Sequence, residues 1–166
     1  MPFLINLGKF VIDYIKKFVI IDSQFKRTYT DKRLNIIQQK GIKMKKILIV
    51  DDQLFIREVF KKQIELLENV GVLEAANGNE AMGKIKVVRP DLILLDIVMP
   101  GKDGLEVLKD IHDDVELRDI PVVIISSHAE DEKVAKAKEY GAREFIDKAQ
   151  LNNIDFNGLI RKYLEI

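Results

Sequence analysis

Beyond Met44 the apolar residues fall into two alternating kinds of cluster. Short unbroken runs, Ile47-Leu48-Ile49-Val50, Leu92-Ile93-Leu94-Leu95 and Val122-Val123-Ile124-Ile125, each stop abruptly at a polar residue, as strands buried on both faces do. Val72 to Ala75 and Phe145-Ile146 read as two shorter strands. Between the runs, apolar residues recur at helical intervals: Ile56, Phe60, Ile64 and Leu67; Ala81, Ile85 and Val88; Leu105, Leu108 and Ile111; Val134, Ala137 and Tyr140; and Phe156, Leu159, Ile160, Tyr163 and Leu164. Gly71 and Gly141 read as helix stops, Asn77-Gly78 as a turn into a helix, Pro90 as a helix end and Pro121 as a strand opening.

Strands that alternate with helices in this way demand right-handed crossovers and an α/β fold, a parallel sheet with helices on both faces. Ligands of such sheets bind beyond the carboxyl ends of the strands. The residues that terminate strands one, three, four and five are Asp51/Asp52, Asp96, Ser126/Ser127 and Lys148, so all are expected on one edge.

Residues 1–43 read differently. From Phe3 to Ile21, Leu4, Leu7, Phe10/Val11, Tyr14/Ile15 and Phe18 share one helical face, and Lys9, Asp13, Lys16 and Lys17 lie opposite. The charges interrupt the run well short of the ~20 apolar residues that cross a bilayer. No basic start or small-residue cleavage site marks a secretory signal. Three readings stay open: an interfacial helix on anionic lipid, a helix docking on a partner or on the body, or sequence that is not translated. Met44-Lys45-Lys46 stands directly before the first strand, and Lys40-Gly41 can encode a ribosome-binding core just upstream. We expect Met44 to initiate at least part of the natural product, and the body to span 44–166. Membrane contact is expected only if the amphipathic segment is part of the protein.

A length of 166 residues fits one domain with a short appendage. The net charge of zero hides a split: nine basic against three acidic residues precede Met44, and 18 against 24 follow it. A mildly acidic body is poorly suited to the phosphate backbone of nucleic acid, so direct DNA binding is not expected. The absence of cysteine removes disulfides, zinc ribbons and thiol catalysis and is compatible with a cytoplasmic setting.

Three carboxylates brought together repel one another unless a cation compensates them. An oxygen-only donor set with room for water suits Mg²⁺. With that charge balanced, one carboxylate can act as a nucleophile while a lysine neutralises an incoming phosphoryl group. Asp51-Asp52 alone would read as a solvated helix cap and Lys148 alone as a surface lysine; the joint population of four strand ends carries the functional reading. Gly101-Lys102 lacks the flanking residues of a phosphate-binding loop and reads as a turn. Asp110 to Asp119 reads as a solvated helix end, and His112 and His128 as isolated histidines outside the site.

The body resembles the receiver domain of bacterial two-component response regulators from Lys45 to Ile166. The resemblance is carried by Ile-Val-Asp51-Asp52, Leu-Leu-Asp96-Ile-Val-Met-Pro100-Gly-Lys-Asp-Gly104, Ser126 and Lys148. It implies a flavodoxin-like doubly wound fold of five parallel strands in the order 2-1-3-4-5. It implies phosphorylation of Asp96 by a histidine kinase or phosphotransfer protein. Mg²⁺ would be held by Asp52, Asp96 and the Val98 backbone carbonyl, and by Asp51 through water. Lys148 would pair with the phosphoryl group, and Ser126 would swing toward it in concert with the aromatic Phe145, changing the face of helix four, strand five and helix five.

Two positions depart from the family pattern. Ala149 stands where proline usually follows the lysine, and Phe145 replaces the commoner tyrosine. With nothing after Ile166, we expect a stand-alone signalling switch or relay intermediate acting on a downstream effector protein, not a turnover enzyme. Two alternatives are a phosphorylation-independent interaction module and a haloacid-dehalogenase-like phosphatase. The latter needs an acid two residues after its nucleophile, where Val98 stands.

Overall fold

The computed structural model describes residues 44–166, so the expectations for residues 1–43 lie outside the described residues. Five strands, β1 (Lys45–Val50), β2 (Val70–Ala75), β3 (Leu92–Leu95), β4 (Val122–Ser126) and β5 (Glu144–Asp147), alternate with five helices. The helices are α1 (Leu54–Ile64), α2 (Gly78–Val88), α3 (Gly104–Asp113), α4 (Asp131–Glu139) and α5 (Phe156–Leu164). A 3-10 turn, Lys148–Asn153, links β5 to α5. The sheet order is β2-β1-β3-β4-β5 and every pairing is parallel, as expected of the flavodoxin-like arrangement.

β3 and β4 are buried along their whole length because both faces are covered. Successive strand residues point to opposite faces. Leu48, Val50, Ile93, Leu95, Val122 and Ile124 join Ile85, Leu108, Ile111 and Ala137 in a core beneath α2, α3 and α4. On the other face Ile49, Leu94 and Ile125 meet Phe60 of α1, whose ring stacks at 5.2 Å on Phe156 of α5. Among the described residues no helix is long and apolar enough to cross a membrane.

The first helix and second strand differ from the sequence expectation. α1 ends at Ile64, and Leu67, which extends the helical spacing, is buried from the turn that follows. Asn69, at φ 61°, reverses the chain, and β2 begins at Val70. Gly71 is therefore not a helix stop; it lies within β2, paired with Lys46. The periodicity overran because an apolar residue in a turn can be buried as deeply as one in a helix.

The start of α3 is tied to the end of β3. Asp103 caps the helix by accepting the Glu106 N–H, while the Glu106 carboxylate accepts the Asp103 N–H, a reciprocal capping box. Gly104 follows, and a Cβ there would lie 2.1 Å from the Asp96 carbonyl oxygen and 2.7 Å from the Ile97 Cα. Backbone thus packs against backbone where the acid emerges.

Gly104→Ala should destabilise the protein by about 1–3 kcal/mol through overpacking. Gly83→Ala, in mid-α2 with open space around the added methyl, should instead stabilise it by about 0.5–1 kcal/mol. Urea titration of the two variants checks the opposite signs.

Candidate functional site

β1 and β3 are neighbours, with Val50 opposite Leu95, so the residues that follow them emerge together. The Asp96 N–H donates to the Val50 carbonyl at 2.8 Å and the Asp51 N–H to the Ala75 carbonyl at 3.1 Å, which extends the ladder to both acids. Asp51 and Asp96 are buried, whereas Asp52 is exposed. One carboxylate oxygen from each of the three lies within 4.8 Å of the others.

The opposite rim supplies a hydroxyl and an ammonium. Ser126, fully buried at the end of β4, donates its Oγ hydrogen to Asp96 Oδ1 at 2.7 Å. Lys148 Nζ donates to Asp51 Oδ2 at 2.6 Å and to Asp96 Oδ2 at 2.5 Å, with 5% of the residue exposed. Five of the six polar residues anticipated at the strand ends, Asp51, Asp52, Asp96, Ser126 and Lys148, are thus brought together.

Its electrostatics follow from two buried carboxylates sharing one buried ammonium. Burial, reinforced by the charge of Asp96, raises the Asp51 carboxyl above the usual carboxylate range despite the attraction of Lys148 and the Gln53 N–H. Burial would push the Lys148 ammonium down, but the charges and hydrogen bonds of Asp51 and Asp96 outweigh it and hold the group above the ordinary lysine value. The pocket keeps its cation and carries an excess of negative charge, augmented by exposed Asp52. An oxygen-only donor set of this charge, open on the Asp52 side, fits a hard divalent cation.

Two anticipated residues sit apart from these contacts. Val98 lies on the rim, 42% exposed, and its N–H reaches Asp96 Oδ1 at 3.3 Å. Phe145 is half-buried in β5, opposite Ile124, and packs on the core beneath α2, α3 and α4. His128 is exposed and His112 tilts against Tyr140 at 6.3 Å, so neither joins the acids.

Three supporting groups escaped the sequence reading. The Gln53 N–H donates to Asp51 Oδ1 at 2.9 Å. The Arg57 guanidinium donates to the Asp51 carbonyl at 2.8 Å and meets Glu74 of β2 at 3.4 Å. The Ala149 N–H donates to Asp147 Oδ1 at 2.8 Å. Only the position of Arg57, one helical turn or so past the acid pair on a face that otherwise packs inward, offered a clue.

With this geometry the chain matches the response regulator receiver domain family over residues 47–155, and it belongs to that family. It is 38% identical over 125 residues to sporulation initiation phosphotransferase F of Bacillus subtilis, covering 73% of this chain and 94% of that one. Against protein-glutamate methylesterase/protein-glutamine glutaminase 3 of Geobacter sulfurreducens it is 36% identical but spans only 27% of that protein's length. The chain similarly spans less than half of the transcriptional regulatory protein YdfI of Bacillus subtilis, at 48%. Among solved structures, a CheY-like receiver domain protein from Methanospirillum hungatei aligns with TM-score 0.66 and 31% identity, covering 74% of this chain and 94% of that chain. The response regulator TrrA of Thermotoga maritima, solved in complex with Mg²⁺-BeF, aligns with TM-score 0.63 and 31% identity, covering 73% and 100%. The chain is therefore a CheY-like receiver of two-component signalling.

Lys148→Ala should cost about 3–5 kcal/mol in metal-free buffer near neutral pH, because two buried carboxylates lose their counter-ion. A raised carboxyl makes the folded chain take up a proton, so Asp51 contributes stability at low pH that is lost as the pH rises through its raised value. Urea titrations across pH without metal should show that decline, and Asp51→Asn should remove it.

Proposed function

We propose that the protein accepts a phosphoryl group on Asp96 from a histidine kinase or phosphotransfer protein and passes the signal to a downstream effector. The observation that carries this reading is the convergence on one buried carboxylate of a hydroxyl at 2.7 Å and an ammonium at 2.5 Å, beside two further acids. A carboxylate so surrounded is a nucleophile with its electrostatic stabilisers already in place.

In the step we propose, an Asp96 oxygen forms a bond to phosphorus while the bond from phosphorus to the donor's leaving group breaks, and the electron pair leaves with that group. Both Asp96 oxygens are engaged in the resting pocket, Oδ1 by Ser126 and Oδ2 by Lys148. Lys148 must transfer its hydrogen bond from the carboxylate to a phosphoryl oxygen, and the Ser126 hydroxyl must turn from Asp96 Oδ1 to another. Each movement exchanges one charge-assisted hydrogen bond for another, so the cost of rearrangement is small. Asp52, Asp96 and the Val98 carbonyl, with Asp51 through water, would hold Mg²⁺, whose positive charge would offset repulsion between the acids and the incoming anion.

Ser126 begins the output. Its strand-end partner across β4 and β5 is Asp147, and Phe145 lies two residues earlier on the same strand. Movement of the hydroxyl opens space toward β5, which Phe145 can follow, and this alters the surface of α4, β5 and α5 read by the effector. The 94% coverage of a relative named a phosphotransferase supports a relay or switch built from the receiver alone. The acidic body fits a protein partner in the cytoplasm better than DNA.

The full chain, incubated with a small acyl phosphate and Mg²⁺, should gain the mass of one phosphoryl group. The adduct should be sensitive to hydroxylamine and absent from Asp96→Ala or with a chelator. No gain would overturn the proposal in favour of an interaction module, and sustained hydrolysis of phosphate esters would overturn it in favour of a phosphatase. Mg²⁺ at a hundredfold excess over its dissociation constant should stabilise the fold by about 2.7 kcal/mol. Asp52→Asn should shrink that gain in a thermal melt.

A further inference from the structure

Lys148 has the longest distance to cover of any group in the pocket. β5 is an edge strand, separated from β3 by β4 and from β1 by β4 and β3. At a strand spacing of roughly 4.8 Å, the lysine must reach across about 10 Å of sheet to meet Asp96 and further to meet Asp51. A flexible four-carbon stem spans that gap only if its Cα is carried inward from the line of β5, and only if the many other rotamers of the stem are excluded. The chain does bend there: Lys148 is the first residue of the 3-10 turn, buried, directly after the last residue of the strand.

The bend has an identifiable cause. Asp147 has extended backbone (φ −71°, ψ 126°) and its side chain accepts the Ala149 N–H at 2.8 Å, closing a ring around Lys148. This hydrogen bond spans the two peptide units flanking the lysine and so restricts its orientation. It requires a residue with an N–H at position 149, which alanine provides and proline lacks. A proline there would also bias Lys148 away from the helical region it occupies. No cis peptide bond occurs among the described residues, so the Lys148–Ala149 link is trans.

We propose that Asp147 is the positioning residue for Lys148: by accepting the Ala149 N–H it holds the trans turn that places the ammonium between Asp51 and Asp96. Asp147 touches neither acid and acts only through the lysine. The part of the proposal that concerns phosphoryl acceptance rests on the function proposed above; the part that concerns the placement of Lys148 does not.

The test uses the full chain in two arms. In the first, native protein is acetylated briefly with an amine-reactive ester and the fraction modified at Lys148 is read by peptide mass analysis, normalised to the exposed Lys109. Asp147→Ala and Ala149→Pro should each raise Lys148 labelling about fivefold, the loss expected of a capping hydrogen bond. Asp147→Asn, which keeps an acceptor oxygen, should stay near the parent, and Asp147→Ala/Ala149→Pro should be no worse than either single variant. In the second arm, the rate of phosphoryl acceptance from a small acyl phosphate should fall in the same variants and stay near the parent in Asp147→Asn.

Unchanged Lys148 labelling in Asp147→Ala, or labelling in Asp147→Asn equal to that in Asp147→Ala, overturns the proposal. So does a rise matched by the fully buried backbone amides in hydrogen exchange, which would report general loosening. A parent protein that accepts no phosphoryl group overturns the proposed function and leaves the labelling arm to decide the role of Asp147.

Discussion

Two carboxylates and one ammonium are forced to share a space from which water is largely excluded, and much of the molecule serves to hold them there. Lys148 is the one ammonium that both buried carboxylates contact, and its own burial is compensated by those two contacts. The sheet order creates the situation. β1 and β3 lie side by side at the centre and project their terminal acids together, while β5 lies at the margin and returns its lysine across β4. Four consecutive strands therefore cooperate in one charge cluster, and no local segment could build it alone.

The stability that tolerates this cluster comes from elsewhere. The two apolar layers beneath the helices contain many fully buried side chains from β1, β3 and β4, and each large one contributes on the order of 1.5–3 kcal/mol of transfer free energy. The pocket is a site of deliberate imbalance, more acidic than its single cation satisfies, and that imbalance makes it receptive to added positive charge. Tight backbone contacts keep the imbalance from relaxing: Gly104 abuts the Asp96 carbonyl, and the capping box of Asp103 and Glu106 fixes the helix that carries it.

The elements nearest the pocket were the most legible from the amino-acid order. Ile47 to Val50, Leu92 to Leu95 and Val122 to Ile125 are unbroken apolar runs because their strands are buried on both faces, and a polar residue at the end of such a run marks where the chain leaves the core. Asp51, Asp96 and Ser126 announced themselves by that rule, whereas Lys148, one residue beyond Asp147, was legible only as one of four strand ends populated together. The edge strand β2 was harder, since its residues are half-buried and Leu67 prolongs a helical rhythm beyond the helix. Asp147 was not legible as a support, and Arg57 only through its position, because each works through the backbone of another residue. A hydrogen bond to a carbonyl or an amide leaves no signature in the identity of the residue that owns it.

The grip of Arg57 on the Asp51 carbonyl, braced in turn by Glu74 and Lys61, gives the pocket two unequal walls. On the β1 side the acid pair is moored through α1 to the outer strand β2, independently of anything the pocket holds. On the β4 and β5 side, Ser126 and Lys148 are moored partly to the acids themselves. In the proposed switch a change in occupancy would thus be transmitted asymmetrically: one flank would stay a fixed landmark for whatever docks against it, and the other would carry the news.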